Sequence, residues 1–240
     1  MSTTVAAYQL VETDEGVRGR HTRIPLEDLG EGDVLIRVTH SSVNYKDGLA
    51  ATGRAPIARR LPLVGGCCAA GTVVEPGESG LPADTVVAVV GATLSEQHNG
   101  GYCEYLRVPA AWVVAVPEAF TSRQAAAIGT AGVTSAMAVV KLEDAGVTPE
   151  SGPIAVTGAS GGAGSLAVAL LAARGYEVTA LTGKPEAEDL LRDLGAANVA
   201  PRPDTSGTRP LERGTWAGAV DTVGGDTLAW LTRTVAPGGS

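Results

Sequence analysis

This sequence of 240 residues has little aromatic material: aromatic residues make up 4% of it and there is a single Phe. Its cores must therefore be filled by Val, Ala, Leu and Ile. Lysine is scarce as well, occurring only as Lys46, Lys141 and Lys184, so nearly all the cationic groups are arginines. Three cysteines are too few for a disulfide scaffold. Cys67 and Cys68 are adjacent and Cys103 is distant, so no zinc spacing such as C-x-x-C is present. Reduced thiols in a cytoplasmic protein are the simplest reading. There is no excess of positive charge. Acidic residues number 26 against 18 basic ones, a net charge of −8, which argues against a nucleic-acid partner, since those need a basic face. A local cationic pocket for a phosphate remains compatible with that balance. The first residues, Met1 to Gly16, lack a basic start followed by an apolar stretch, so no signal peptide is expected. No apolar run approaching ~18 residues stands out, and no membrane span is expected. Glycine, by contrast, is plentiful, with 32 residues.

The chain reads as two domains, 1–120 and 121–240. In the first, short β-type runs alternate with Gly- and Pro-containing turns: Val5–Val11, Val34–Thr39, Gly71–Val74, Thr85–Val90, Tyr102–Val108 and Trp112–Val116. That pattern suggests a barrel-like all-β unit. The character changes near Pro117. Thr121 and Gln124 have the spacing of a capping box and should open an Ala-rich helix, interrupted at Gly129–Gly132. From Pro153 strands and helices alternate. Ile154–Thr157, Glu177–Thr182, Asn198–Ala200 and Trp216–Val223 are expected strands; Ser165–Arg174, Glu186–Leu194 and Thr227–Val235 are expected helices. Alternation of this kind implies a parallel, doubly wound sheet.

The strongest single signal is Thr157-Gly158-Ala159-Ser160-Gly161-Gly162-Ala163-Gly164, after a strand and before a helix. Glycines there let the backbone turn tightly and approach a diphosphate, while the helix start offers unpaired N–H groups and partial positive charge. A tight turn without a ligand is the blander alternative. The same residues match G-x-S-x-G, the nucleophile elbow of hydrolases. That mechanism needs a histidine after the serine, and His21, His40 and His98 all precede Ser160. A short-chain dehydrogenase fits no better, because the loop lies mid-chain and Tyr176 is followed four residues on by Ala180 rather than Lys. In the nucleotide reading, the end of the following strand selects the cofactor, with an acid there favouring NAD. This sequence has Thr182-Gly183-Lys184, with Arg202 beyond the next strand. Cations without an acid suit the 2′-phosphate of NADP.

Ser41-Ser42-Val43-Asn44-Tyr45-Lys46-Asp47 resembles the S-x-N-Y-K-D segment of the zinc-independent quinone oxidoreductase branch of the medium-chain dehydrogenase/reductase superfamily. Ile128–Gly132, Leu142–Val147, Val156–Gly162 and Trp216–Gly224 are similar to the acrylyl-CoA reductase subfamily within it. The resemblance runs over nearly the whole chain. It implies an α/β protein: a GroES-like β-rich domain followed by a doubly wound (Rossmann) domain that is incomplete here, the chain ending where further strands and helices are expected. It implies NADPH-dependent reduction of an activated C=C bond, with acrylyl-CoA as type substrate. A broader quinone or enone reductase and a non-catalytic NADPH-binding protein are the alternatives. By position, Tyr45 and Asn44 would be the catalytic pair, Tyr45 also lying beside the cofactor. Ser160, Gly161, Gly162 and Ala163 would hold the diphosphate, and Thr182, Gly183, Lys184 and Arg202 the 2′-phosphate end. Asp47 would order the loop. A small-molecule substrate, no membrane partner and a homodimer are further implications. No metal is expected: Asn44-Tyr45 and Gly66-Cys67-Cys68 stand where zinc-dependent relatives carry a Cys and a Gly-His-Glu. Gly65-Gly66-Cys67-Cys68 also departs from the branch's Pro-Gly-x-Asp. As neighbours on a strand, Cys67 and Cys68 should point to opposite faces as small core residues.

Overall fold

The computed structural model describes residues 3–206 and 213–240. The chain forms two compact units, Met1–Thr130 and Ala131–Ser240. The division falls ten residues beyond the position expected from composition, inside a helix, α2 (Ser122–Asp144). That helix is broken at Gly129, which adopts φ 35° and ψ −140°. Only a residue without a Cβ takes that geometry cheaply.

In the first unit β1 (Thr4–Thr13) and β2 (Gly16–Pro25) make a hairpin in register from Thr4↔Pro25 to Thr13↔Gly16. β4 (Leu63–Val64) adds to the other edge of β1, so the sheet order is β2-β1-β4. A second sheet has the order β7-β3-β5-β6-β8, from β3 (Val34–His40), β5 (Cys68–Glu75), β6 (Val86–Val90), β7 (Tyr105–Val108) and β8 (Val114–Ala115). Two antiparallel sheets thus replace the single barrel-like unit that the strand spacing suggested. Alternate residues of the larger sheet, among them Val34, Ile36, Val87, Val89, Leu106 and Val108, form its core. β-branched side chains pack well on a pleated surface, which is how the core of this unit does without phenylalanine; the single one, Phe120, is exposed.

Two elements escaped the sequence reading. β2 carries Arg18, Arg20, His21 and Arg23 and shows no hydrophobic alternation; as an edge strand it needs one hydrogen-bonding partner, which β1 supplies. α1 (Tyr45–Thr52) has eight residues with a glycine inside. Its signal was present in Asn44 and Asp47, which form a capping box, and in Gly53, whose φ of 66° ends the helix.

The second unit has the strand order β11-β10-β9-β12, all parallel, with β9 (Ile154–Thr157) and β10 (Val178–Thr182) central. β11 (Asn198–Pro201) and β12 (Gly218–Val220) are the edges. α3 (Gly162–Ala173), α4 (Glu188–Asp193) and α5 (Gly225–Thr234) connect or follow them. α3 starts at Gly162, three residues earlier than expected, directly out of the glycine loop. The expected strand Trp216–Val223 shortens to Gly218–Val220, because the Asp221 carboxylate accepts the N–H groups of Val223 and Gly224 and turns the chain away. The capping box at Thr121 forms as expected, with Gln124 N–H on Thr121 Oγ1 and Thr121 N–H on Gln124 Oε1. One expectation needs correction. α2 is long and apolar enough by length and composition to cross a membrane. Its charged residues sit near its ends and Gly129 breaks it, and Val139 and Leu142 pack into the core of the second unit.

Candidate active site

The glycine loop is built by backbone approach. Gly158 has φ +57°, and a Cβ on it would stand 2.4 Å from Thr222 Oγ1. A Cβ on Gly164 would stand 2.3 Å from the Gly158 carbonyl oxygen and 2.7 Å from Ala159 Cα. Strand and helix therefore meet closer than any side chain permits. Gly161 caps α3 with its backbone alone, since no side chain satisfies the first turn. The N–H groups of the helix start are left for an anion. Gly161 and Gly162 are exposed and Ala163 is half-buried.

Beside the loop lies a small cleft of about 70 Å³. Ser160, Thr182, Gly183, Lys184 and Arg202 all line it. Offsets in the sequence pointed to Thr182, Gly183, Lys184 and Arg202 and the family resemblance to Ser160, and the sheet brings the five together because β9, β10 and β11 run parallel and end on one side. Thr182 is buried, and its hydroxyl bonds Ser160 Oγ at 2.9 Å and accepts the Lys184 N–H at 3.1 Å. It shapes the turn that presents Lys184. The hydroxyl partner of Ser160 is thus a threonine and not the histidine base that the nucleophile-elbow reading needs. Arg202 lies across Gly183, where a Cβ would come 2.5 Å from Arg202 Nε. Neither Lys184 nor Arg202 has a side-chain partner among the described residues, and no carboxylate lines the cleft. Two unpaired cations and a helix start suit a ligand carrying phosphates. Thr157 and Asp221, which sequence reasoning passed over as site residues, tie the ends of β9 and β12 together: Thr157 Oγ1 donates to Asp221 Oδ1 and accepts the Thr222 N–H at 3.1 Å.

In the first unit Asn44 caps α1 and is half-buried, whereas Tyr45 is 85% exposed. Asp47 orders the loop, as expected. It is buried, accepting the Asn44 N–H at 2.9 Å and the Cys67 N–H at 3.0 Å. Asn44 Nδ2 donates to Cys67 Sγ at 3.2 Å and to Ser42 Oγ at 3.3 Å. Cys67 Sγ also lies 3.4 Å from Thr130 Oγ1, and Cys68 Sγ lies 2.9 Å from Ser42 Oγ. Both cysteines are buried, as expected, but they do not point to opposite faces of a strand. Cys67 sits in the bend before β5, so both thiols reach the Ser42–Asn44 turn. The diglycines Gly65-Gly66 and Gly100-Gly101 cross here: Gly100, Gly101 and Tyr102 donate N–H groups to Val64, Gly66 and Gly65. Among the described residues no group of three or more His, Cys, Asp or Glu side chains is placed to hold a metal ion. His98 bonds the Asn99 and Glu31 carbonyls and meets Trp112 edge to face, with no contact to Cys103 among those bonds.

Burial first, with the Asp47 and Cys68 charges adding to it, pushes the Cys67 thiol up to about 11; the Thr130 hydroxyl works against this. Burial and Asp47 raise the Tyr102 phenol too. A raised thiol contributes stability that is whole below its unfolded value and lost as pH rises through the folded one. The stability advantage of wild type over Cys67→Ala should therefore shrink by roughly 2 kcal/mol between pH 9 and 11. Urea titrations of both proteins across that range measure it; a pH-independent difference would mean the thiolate is tolerated.

A two-sheet antiparallel unit followed by a parallel sheet with a phosphate-type glycine loop defines a two-domain dehydrogenase/reductase. The Alcohol dehydrogenase GroES-like domain matches residues 30–118. The probable acrylyl-CoA reductase AcuI of Escherichia coli (strain K12) is 46% identical over 211 residues, covering 88% of this chain and 65% of its own length. The putative quinone oxidoreductase YhfP of Bacillus subtilis (strain 168) is 42% identical over 242 residues, covering 100% of this chain and 73% of its own. The structure of that protein with NAD bound superposes with a TM-score of 0.92 at 41% identity, covering 99% of this chain and 73% of that one. The yhdH oxidoreductase from Salmonella enterica in complex with NADP gives 0.91 at 41% identity, covering 98% and 72%. The chain belongs to the medium-chain dehydrogenase/reductase superfamily, in the quinone oxidoreductase branch that includes the acrylyl-CoA reductases. It spans about two thirds of the length of the acrylyl-CoA reductases it matches.

Proposed function

We propose that this protein is a cytoplasmic reductase of activated C=C bonds that uses NADPH and acts on an enoyl thioester of the acrylyl-CoA type. The observation that carries the reading is the cleft beside the glycine loop, where Lys184 and Arg202 have no side-chain partner among the described residues and no carboxylate is among the lining residues. Those two cations and the helix start at Gly161–Ala163 fit the phosphates of NADPH, and an acid that would favour NADH is missing from the end of β10. The 46% identity to acrylyl-CoA reductases supports the substrate class. The similarity to a quinone oxidoreductase along the whole chain supports quinone or enone reduction as the second reading.

When bound, NADPH would supply the hydride that the β-carbon of the enoyl group accepts. Charge then builds on the thioester oxygen, and a donor aimed at it lowers the barrier. Tyr45 is the residue for that role or for delivering the proton to the α-carbon: it is exposed at the start of α1, where the helix dipole favours negative charge. Asn44 is held by Ser42, Cys67 and Asp47, so its amide is fixed in direction and would act by orienting the turn that presents Tyr45. NADPH oxidation by the purified chain with acrylyl-CoA, and separately with a quinone, tests the reading. Binding of NADPH without turnover of either would make this a nucleotide-binding protein. Tyr45→Phe should lower kcat by about 10²-fold while the Michaelis constant for NADPH stays within about twofold; unchanged kcat would remove Tyr45 from the chemistry.

A further inference from the structure

The first turn of α1 carries three consecutive side chains, Tyr45, Lys46 and Asp47, with three destinations. Successive residues of a helix project about 100° apart. Tyr45 is left in solvent, and Asp47 is buried on the Asn44 and Cys67 N–H groups. Lys46, one of only three lysines in the chain, reaches Glu96, with Nζ 2.7 Å from Oε1. The two side chains are 34% and 29% exposed. Glu96 stands in the loop between β6 and β7, and the backbone of that loop is strained. Among the described residues four that are not glycine have positive φ, and three of them lie here: Ala92 at 47°, Thr93 at 63° and Ser95 at 64°. Such residues persist only where the surrounding structure enforces them. Ser95 is also buried with its hydroxyl unpartnered among the described residues. Around Glu96 the chain is held from several sides. The Thr93 carbonyl accepts the N–H groups of Glu96, Gln97 and His98 at 3.1, 3.0 and 3.1 Å. The Glu96 carbonyl accepts the Arg59 N–H at 2.8 Å, and Arg60 Nε donates to the Gln97 carbonyl at 2.5 Å. An ion pair as exposed as Lys46–Glu96 adds less stability than the strain of this loop removes, so stability alone does not account for a loop that aims Glu96 at Lys46.

We infer that Glu96 is a positioning residue for Tyr45, acting through Lys46. The inference rests on the role proposed for Tyr45 above. The ties made by Asn44 and Asp47 lead to Ser42 and Cys67. The Lys46–Glu96 pair adds a tie to a different segment. With both, the first turn of α1 can neither roll about the helix axis nor slide along it, and the Tyr45 side chain keeps one direction. Without Glu96 the turn can pivot on Asn44 and Asp47, and Tyr45, 85% exposed, has little packing of its own to stop it. The competing role is a surface ion pair with a small effect on stability and none on catalysis.

The test is NADPH oxidation by the full chain with acrylyl-CoA, beside amide hydrogen exchange. Glu96→Gln keeps the shape of the side chain and removes its charge. It should lower kcat about fivefold while the Michaelis constant for NADPH stays within about twofold, and Tm should not move. The charge swap Lys46→Glu/Glu96→Lys restores the pair and should recover at least about half of the wild-type kcat. In a Tyr45→Phe background Glu96→Gln should cause no further loss, because its effect runs through Tyr45. Wild-type kcat in Glu96→Gln, or a further loss on top of Tyr45→Phe, overturns the positioning role while leaving Tyr45 in place. Wild-type kcat in Tyr45→Phe instead overturns the role of Tyr45, and the inference falls with it. If the chain does not turn over acrylyl-CoA, exchange decides: residues 45–52 should exchange about threefold faster in Glu96→Gln. They should not do so in Lys141→Gln, which breaks the exposed Lys141–Asp144 pair of the second unit. Equal exchange at 45–52 in wild type and Glu96→Gln overturns the inference.

Discussion

Lys184→Asp should weaken NADPH about 100-fold while leaving NADH within about twofold. Charge-assisted hydrogen bonds to an ionised partner contribute roughly 1.5–3 kcal/mol each, and the new carboxylate adds repulsion in a cleft that otherwise holds none. Lys184 is exposed and bonds no other side chain, so the melting temperature should not move. Arg202→Ala should cost about tenfold in the same direction, since a single cation remains. Fluorescence titration of both cofactors against wild type and the two variants measures this. Equal losses for NADPH and NADH would show that the cations steer the whole dinucleotide rather than recognise its 2′-phosphate, and the choice of NADP over NAD would fall with that result.

Gly164→Val should be the most damaging single substitution in the second unit. The new Cβ would collide with the Gly158 carbonyl and Ala159 Cα, which are backbone atoms and cannot rotate away. α3 must then shift off β9 and carry the phosphate loop with it. Overpacking of this kind costs about 3 kcal/mol, or roughly 6–12 °C in Tm for a chain of this size, and NADPH binding should fall below detection. Gly162→Ala is the control. Its Cβ would meet only the Ala131 Cβ, at an ordinary 3.5 Å, so stability should be kept or slightly improved. If the two variants melt alike, the close approach at Gly164 is not what shapes the loop.

Legibility varied with how local each cause is. The strand–loop–helix around Ser160 could be read residue by residue, because a glycine's freedom and a helix start are short-range properties. The start of α3 was misjudged by three residues, since Gly162–Gly164 look like breakers until packing against β9 explains them. β2 was invisible for the opposite reason. Nothing in Arg18–Arg23 favours a strand, and the strand exists because β1 lies beside it. α1 was legible in principle through Asn44 and Asp47, but its length is below what periodicity can detect. Tyr102, Thr130 and Cys68 joined the Asn44 cluster without any sequence signal, because 26 residues separate Ser42 from Cys68 and more separate Asn44 from Tyr102 and Thr130.

The aromatic-poor, glycine-rich composition settled by itself that the cores would be aliphatic and the backbone tightly turned. The residues from Thr157 to Lys184 settled a glycine loop between a strand and a helix, followed by a strand end without an acid. These follow from the chemistry of neighbours in the chain. Only the tertiary structure decided that Lys184 and Arg202 share one cleft and that the two cysteines reach the Ser42–Asn44 turn. Each of those depends on which strands pair and which helix ends lie side by side, and such contacts between distant segments are decided by packing the whole unit at once.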